Sequence, residues 1–241
     1  MDYRLLKAAR REPVDRTPVW FMRQAGRFMP EYREIRKKHS LLEICKAPEL
    51  AAEVTLLPMK LLPGLDAAII FSDLLLILQP MGIQVEFVQS EGPVIVNPVA
   101  TEADVRALTP VDPEQDLKGV LEAIRIVRRE LTGKIPLIGF AGAPFTLASY
   151  LIEGGPSRHY LKTKGMMTRH PACWGALMTK LSEAVTRHLQ AQIKAGAEIV
   201  QVFDSWVGVL SPSDYRTHVL PYSKMIFDVL RDSGVPVIHF G

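Results

Sequence analysis

Apolar residues in this chain gather in short unbroken runs, separated by longer stretches with helical spacing. Five runs stand out: PVWFM (18–22), DAAIIFS (66–72), IPLIGFA (135–141), AEIVQVFDS (197–205) and VPVIHFG (235–241). A continuous run suits a strand covered on both faces. Ser40 with Glu43 matches a capping box and predicts a helix start. Pro48 suits the first turn of a helix over PELAAEVTLLPMKLL, which Pro58 is expected to kink or end. Residues 112–131 predict one amphipathic helix stopping at Thr132-Gly133, and residues 171–196 a long helix stopping at Gly196. Residues 211–234 predict another. One insertion, IQVEFVQSEGPVIVN (83–97), reads as a β-hairpin turning at Ser90-Glu91-Gly92-Pro93.

Strand–helix alternation predicts a parallel α/β fold, as a barrel or an open doubly wound sheet. No Gly-x-Gly-x-x-Gly follows the first run and no Gly-x-x-x-x-Gly-Lys loop occurs, which weakens a nucleotide-binding reading. A length of 241 residues, 48% hydrophobic, suits one large domain or two small ones with a sizeable core. Cys45 and Cys173 give no disulfide framework, so a reducing, cytoplasmic setting is expected. The N-terminus lacks the apolar core of a signal peptide, and no run reaches the ~18 apolar residues of a membrane span.

The net charge of +3 hides an asymmetry. Residues 1–38 hold eleven Lys/Arg against five Asp/Glu, and the remainder is acidic. A positive N-terminal block fits an anionic partner, although Arg33 to Lys38 read equally well as a solvated helix face. Nucleic acid is not expected: aromatics do not interleave with the basic residues and no docking motif appears.

In an α/β barrel the active site lies at the C-terminal ends of the strands. There the chain places Arg23-Gln24-Ala25-Gly26-Arg27, Ser72-Asp73, Tyr150 one turn into a helix, Asp204-Ser205 and His239. Each has a plain alternative. Asp73 and Asp204 could cap helices, Ser205 could be a turn residue, Tyr150 could be core and His239 a buried histidine. As a set converging on one rim, they read as a site. Arg23 and Arg27 carry planar cationic forks suited to carboxylates or phosphates. The intervening glycine permits close backbone approach. Burial would raise the pKa of Asp73 and the arginines would lower it. Ionised, it could hold N–H donors or stabilise a developing cation. His170 and Cys173 form one isolated pair, so no metal site is expected.

The stretches MRQAGRFMPEYREIR, DAAIIFSDLLLILQPMG, GFAGAPFTLASYLIEGG and QVFDSWVGVLSP closely resemble the uroporphyrinogen decarboxylase family, in preserved order from about Arg10 to Gly241. The resemblance implies a (β/α)8 barrel, read here as a single domain over 1–241 truncated after its fifth strand. It implies removal of four acetate carboxyls from uroporphyrinogen III to give coproporphyrinogen III in porphyrin and heme biosynthesis, with no cofactor, in a cytoplasmic homodimer. Carried over, Asp73 accepts pyrrole N–H bonds and stabilises the cation. Arg23 and Arg27 bind substrate carboxylates, and one of them assists proton delivery. Gln24, Ala25 and Gly26 line the site, Tyr150 and Ser205 bind substrate through their hydroxyls, and Arg36 is a further carboxylate contact. The competing likeness is to zinc-dependent corrinoid or thiol methyltransferases of the same superfamily. Those place a His-x-Cys at the fifth strand's end, where this chain has His239-Phe240-Gly241.

Overall fold

The computed structural model describes residues 3–88 and 92–241. Its described residues form a four-stranded parallel sheet, a two-stranded antiparallel ribbon and surrounding helices. In chain order these are α1 (Arg4–Ala9), α2 (Pro30–Lys38), α3 (Leu41–Lys46), α4 (Pro48–Leu61), β1 (Ala68–Ile69), β2 (Val85–Val88), β3 (Gly92–Ile95), α5 (Glu102–Ala107), α6 (Pro113–Asp116), α7 (Lys118–Leu131), β4 (Leu137–Gly142), α8 (Pro144–Glu153), α9 (Leu161–Arg169), α10 (Pro171–Ala195), β5 (Ile199–Phe203), α11 (Pro212–His218), α12 (Leu220–Leu230) and β6 (Val237–Phe240). The parallel sheet has the order β1-β4-β5-β6.

β1, β4 and β5 are buried on both faces, which is why they read as unbroken apolar runs, whereas edge strand β6 is half-buried at Val237 and Ile238 and exposed at His239 and Phe240. One face carries Ala68, Ile70, Leu137, Ala141, Val200 and Val202 into a core shared with Phe145, Trp174, Leu181 and Ile226 of the helices. The other face carries Ile69, Ile138, Ile199 and Phe203 into a second cluster with Tyr3 and Leu6. Alternation with period two assigns neighbouring residues to opposite clusters. β2 and β3 pair antiparallel, Val85 opposite Ile95. Asn97 closes their open end by accepting from the Gln84 N–H and donating to Gly82 O. Ser90 and Glu91 of the expected turn lie outside the described residues.

The structure corrects several sequence expectations. PVWFM (18–22) is not a strand. Val19 alone engages the edge of β1: its carbonyl accepts from the Asp66 N–H at 2.8 Å, and its N–H donates to the Asp66 carboxylate at 2.8 Å. A side chain thus takes the place of the next ladder bond. The expected helix over 112–131 breaks at Leu117 into α6 and α7. Just past the break, Gly119 packs against Lys46 so closely that a Cβ would lie 2.6 Å from its carbonyl oxygen. Residues 211–234 likewise divide at Val219, ahead of Pro221, into α11 and α12. Helix α4 runs through Pro58 to Leu61. The capping box at Ser40 and Glu43 forms as expected, and Gly196 ends α10 at φ 120°.

Candidate active site

β1 has only two residues because it must leave the sheet early to form the site. Ile70 donates to Ile138 O at 3.0 Å, and beyond it the chain departs. The next N–H, that of Phe71, donates instead to Thr55 Oγ1 of α4 at 2.8 Å. The released chain carries Ser72 and Asp73 over the C-terminal edge of the sheet and then winds into a 3-10 turn at Leu76–Leu78. Asp73 Oδ1 accepts the Leu75 N–H at 2.8 Å, an Asx-type bond that leads the chain into this turn. It also faces a cavity, so the turn and site roles coexist.

That cavity has a volume of about 750 Å3. Arg23, Gln24, Ala25, Gly26, Arg27, Asp73, Tyr150 and Ser205 all line it. Phe71, Phe87, Phe140, Phe203 and Tyr32 supply aromatic walls that were not anticipated. Phe71 and Phe203 each stand two residues before a site residue in the sequence, a closeness that could have pointed to them. Phe87 belongs to β2, so the hairpin forms part of the wall.

Three expected residues stand elsewhere. Arg36 is absent from the lining; its guanidinium donates to His39 O at 2.8 Å, closing the end of α2. Asp204 is wholly buried behind the rim. Because Ser205 faces the cavity, its neighbour must face the helix layer. His239 pairs in register with Val202, a residue of the helix-side core, so it too points away, and its ring packs on Phe227 at 5.0 Å.

The N-terminal positive charge sorts into three groups. Arg4 and Arg16 pair with buried Asp66, and Arg4 also with Asp15 at 2.6 Å. This network ties α1 and the following loop to the base of β1. Arg33 donates to the carbonyls of Arg27 and Phe28, and Arg36 to His39, so part of the helix face is structural rather than merely solvated. Arg23 and Arg27 form no ion pair among the described residues. Both are exposed at the cavity. Two exposed guanidiniums at one opening leave positive charge there.

Electrostatics at the cavity floor run the other way. Burial pushes the Asp73 carboxyl above its usual pKa, while the Leu75 N–H and Arg23 pull it back. Burial also raises the Tyr150 phenol, and the Asp73 charge adds to that. Tyr32 is raised by burial against opposing arginines. A charge on Asp73 therefore acts through an apolar, weakly screening wall, where it attracts cations and N–H donors strongly. Gln24 is 2% exposed; its Oε1 accepts the Phe21 N–H at 3.2 Å and its Nε2 has no partner. Gly26 has no left-handed backbone angle, and a Cβ there would meet only the Phe28 ring at 3.4 Å. Its smallness matters for room at the cavity wall rather than for backbone conformation. Among the described residues no group of three His, Cys, Asp or Glu could hold a metal, and no helix is long and apolar enough to cross a membrane.

Comparison with known proteins agrees with this arrangement. The family model for uroporphyrinogen decarboxylase (URO-D) matches residues 1–241. The uroporphyrinogen decarboxylase of Carboxydothermus hydrogenoformans is 60% identical over 240 residues, covering 100% of this chain and 68% of that protein. Those of Sorangium cellulosum and Thermus thermophilus are 60% and 57% identical, with 68% and 69% of their lengths covered. A methyltransferase from Methanosarcina mazei superposes with a TM-score of 0.71 at 22% identity, over 98% of this chain and 68% of that one. That likeness concerns the fold alone and supports a TIM-type α/β architecture. Matched along its whole length by the family model and by these relatives, the chain belongs to the uroporphyrinogen decarboxylase family.

Proposed function

We propose that the chain is a carboxy-lyase that removes the four acetate carboxyls of uroporphyrinogen III, giving coproporphyrinogen III, without a cofactor. The observation that carries this reading is that two exposed arginines, without an ion pair among the described residues, and a half-buried carboxylate line one aromatic cavity. A substrate with an anionic rim and an N–H-rich centre matches that charge order. Asp73 accepts the pyrrole N–H bonds. Arg23 and Arg27 hold carboxylates at the opening, with Gln24 Nε2 as a further donor. Tyr150 and Ser205 bind the substrate periphery through their hydroxyls.

The chemistry follows from the substrate's own electrons. A proton added to a pyrrole ring carbon leaves an iminium-like cation. The bond between the acetate methylene and its carboxylate then breaks, and its electron pair forms an exocyclic double bond that neutralises the cation. A proton taken up at the former methylene makes a methyl group, and loss of the ring-carbon proton restores the pyrrole. Each cycle consumes one proton and releases one CO₂. Asp73, ionised once N–H donors bind it, stabilises the cation in both halves. One of the two arginines assists proton delivery.

The proposal extends to the assembly. The four-stranded sheet is read as part of a (β/α)8 barrel in a single domain over 1–241, with β6 forming its edge among the described residues. Homodimer formation and a cytoplasmic location rest on the family likeness. Anaerobic incubation with uroporphyrinogen III, followed by chromatographic separation of oxidised products, tests the activity. Appearance of the four-carboxylate product is the expected result. Recovery of unchanged octacarboxylate, beside a relative that turns over, would overturn the assignment for this chain.

A further inference from the structure

Asp204 is 0% exposed, yet neither of its carboxylate oxygens belongs to an ion pair of normal length or caps a helix. Oδ1 accepts from Thr146 Oγ1 at 3.0 Å. Oδ2 has no hydrogen-bond partner and lies 3.8 Å from His239 Nε2. Thr146 is itself 0% exposed, and its Oγ1 accepts the Trp206 N–H at 3.3 Å. A carboxylate, a hydroxyl and a backbone amide thus form one buried relay across the turn that follows β5.

The relay itself stays out of the cavity, but on both sides it adjoins residues that line it. Ser205 lies inside the turn that the relay ties down, and it lines the cavity. Thr146 and Tyr150 stand four residues apart on α8 and so share one face of it. Trp206 closes the loop: its ring meets Tyr150 edge-on at 5.8 Å, with Tyr160 on another side at 5.8 Å. Tyr160 sits at φ 53°, a conformation tyrosine rarely adopts, and its hydroxyl is buried without a partner. Tyr160 in this strained conformation thus packs against the tryptophan whose ring meets cavity-lining Tyr150.

We propose that Thr146 and Asp204 are positioning residues for substrate binding, acting through Ser205 and the Trp206–Tyr150 contact rather than by touching the substrate. This rests on the functional reading above. The physical argument is one of leverage. A buried hydroxyl held by a carboxylate has one low-energy orientation, and the Trp206 amide is docked against it. Removing the hydroxyl frees the turn and the indole together. Both substrate-facing hydroxyls then lose their placement, although neither has been altered.

The test is a fluorescence titration with uroporphyrin III, the stable oxidised octacarboxylate, alongside steady-state turnover. Thr146→Val keeps the side-chain shape and removes the oxygen. It is expected to weaken binding and raise KM by roughly tenfold, the scale of one lost hydrogen bond, with kcat far less affected. Thr146→Ser restores the oxygen and should return both values to within about twofold of the parent. In combination with Tyr150→Phe the losses should fall well short of additive, because Thr146 acts partly through that ring. A purely structural role gives a different pattern: lowered melting temperature and active fraction, unchanged KM, and additive losses. Either unchanged KM or full additivity overturns the inference. If Thr146→Val does not fold, Thr146→Cys, with its weak S–H donor, gives the same readout. If the unaltered chain neither binds uroporphyrin III nor turns over its reduced form, the functional reading fails and takes the inference with it. Binding by the parent with normal affinity in the Val variant overturns the positioning role alone.

Discussion

Gln192 of α10 holds the backbone of Phe140 with both ends of its amide. Its Oε1 accepts the Phe140 N–H at 2.8 Å and its Nε2 donates to the Phe140 carbonyl at 2.7 Å. In a parallel ladder, residues two apart present their polar groups to the same neighbour. Ile138 uses that side to bond β1, so Phe140 would do the same if β1 continued. It does not, because β1 departs to carry Asp73. Gln192 replaces the missing strand, and it fits because Gly139 has no side chain: a Cβ there would stand 2.4 Å from Gln192 Oε1.

Gln192→Leu therefore leaves two backbone groups without partners beside the site. It should cost about 2–3 kcal/mol in denaturant unfolding. Gly139→Ala should be destabilising by displacing the same amide. A wild-type unfolding midpoint in both variants would show that the strand edge finds other partners.

Asp73→Asn preserves the bond to the Leu75 N–H and removes the charge. Turnover of uroporphyrinogen should fall by a factor on the order of 10²–10³, the scale of losing one electrostatic stabiliser, while circular dichroism stays unchanged. Activity within a few-fold of the parent would exclude Asp73 as the group that stabilises the cation.

The same substitution has a signature in stability. Burial raises the folded-state pKa of Asp73, so the folded chain holds that proton more tightly than the unfolded chain. At neutral pH its ionised form opposes folding, and the opposition is relieved as the pH falls through the raised value. Asp73→Asn should thus be more stable than the parent at pH 7. The margin should shrink as the pH approaches the ordinary carboxylate range near about 4. A margin that is constant with pH, or of opposite sign, would mean that the carboxylate is better solvated in the ligand-free chain than its position indicates.

Arg27→Ala should weaken binding of the octacarboxylate by roughly fivefold, the scale of one partly exposed charge contact. The four-carboxylate product should lose less, and raised salt should narrow the difference. Titration of both porphyrins at two ionic strengths measures this. Equal losses for the two ligands would place Arg27 against carboxylates that the reaction leaves in place.

Much of this molecule is determined by local sequence. Four of the five apolar runs become the parallel strands, and in β1, β4 and β5 the reason is burial on both faces, which demands unbroken apolar sequence. Ser40, Glu43 and Gly196 mark helix ends because their groups satisfy or permit the terminal backbone. Asp73, Tyr150 and Ser205 meet at one cavity because a parallel sheet brings its strand ends together, and Arg23, Gln24 and Arg27 join them from a segment that is not a strand. Partner and facing, by contrast, are set by contacts between distant segments. PVWFM looks like a strand, but the Asp66 carboxylate takes the bond a ladder would need. Asp204 and His239 stand at strand ends too, but parity and register turn them into the helix layer. Of the N-terminal arginines, Arg4 and Arg16 are neutralised by Asp66, while Arg33 and Arg36 grip carbonyls. The contacts with Asp66 span 62 and 50 residues, which no local pattern encodes. Arg23 and Arg27 form no ion pair among the described residues, which leaves their charge to the proposed substrate.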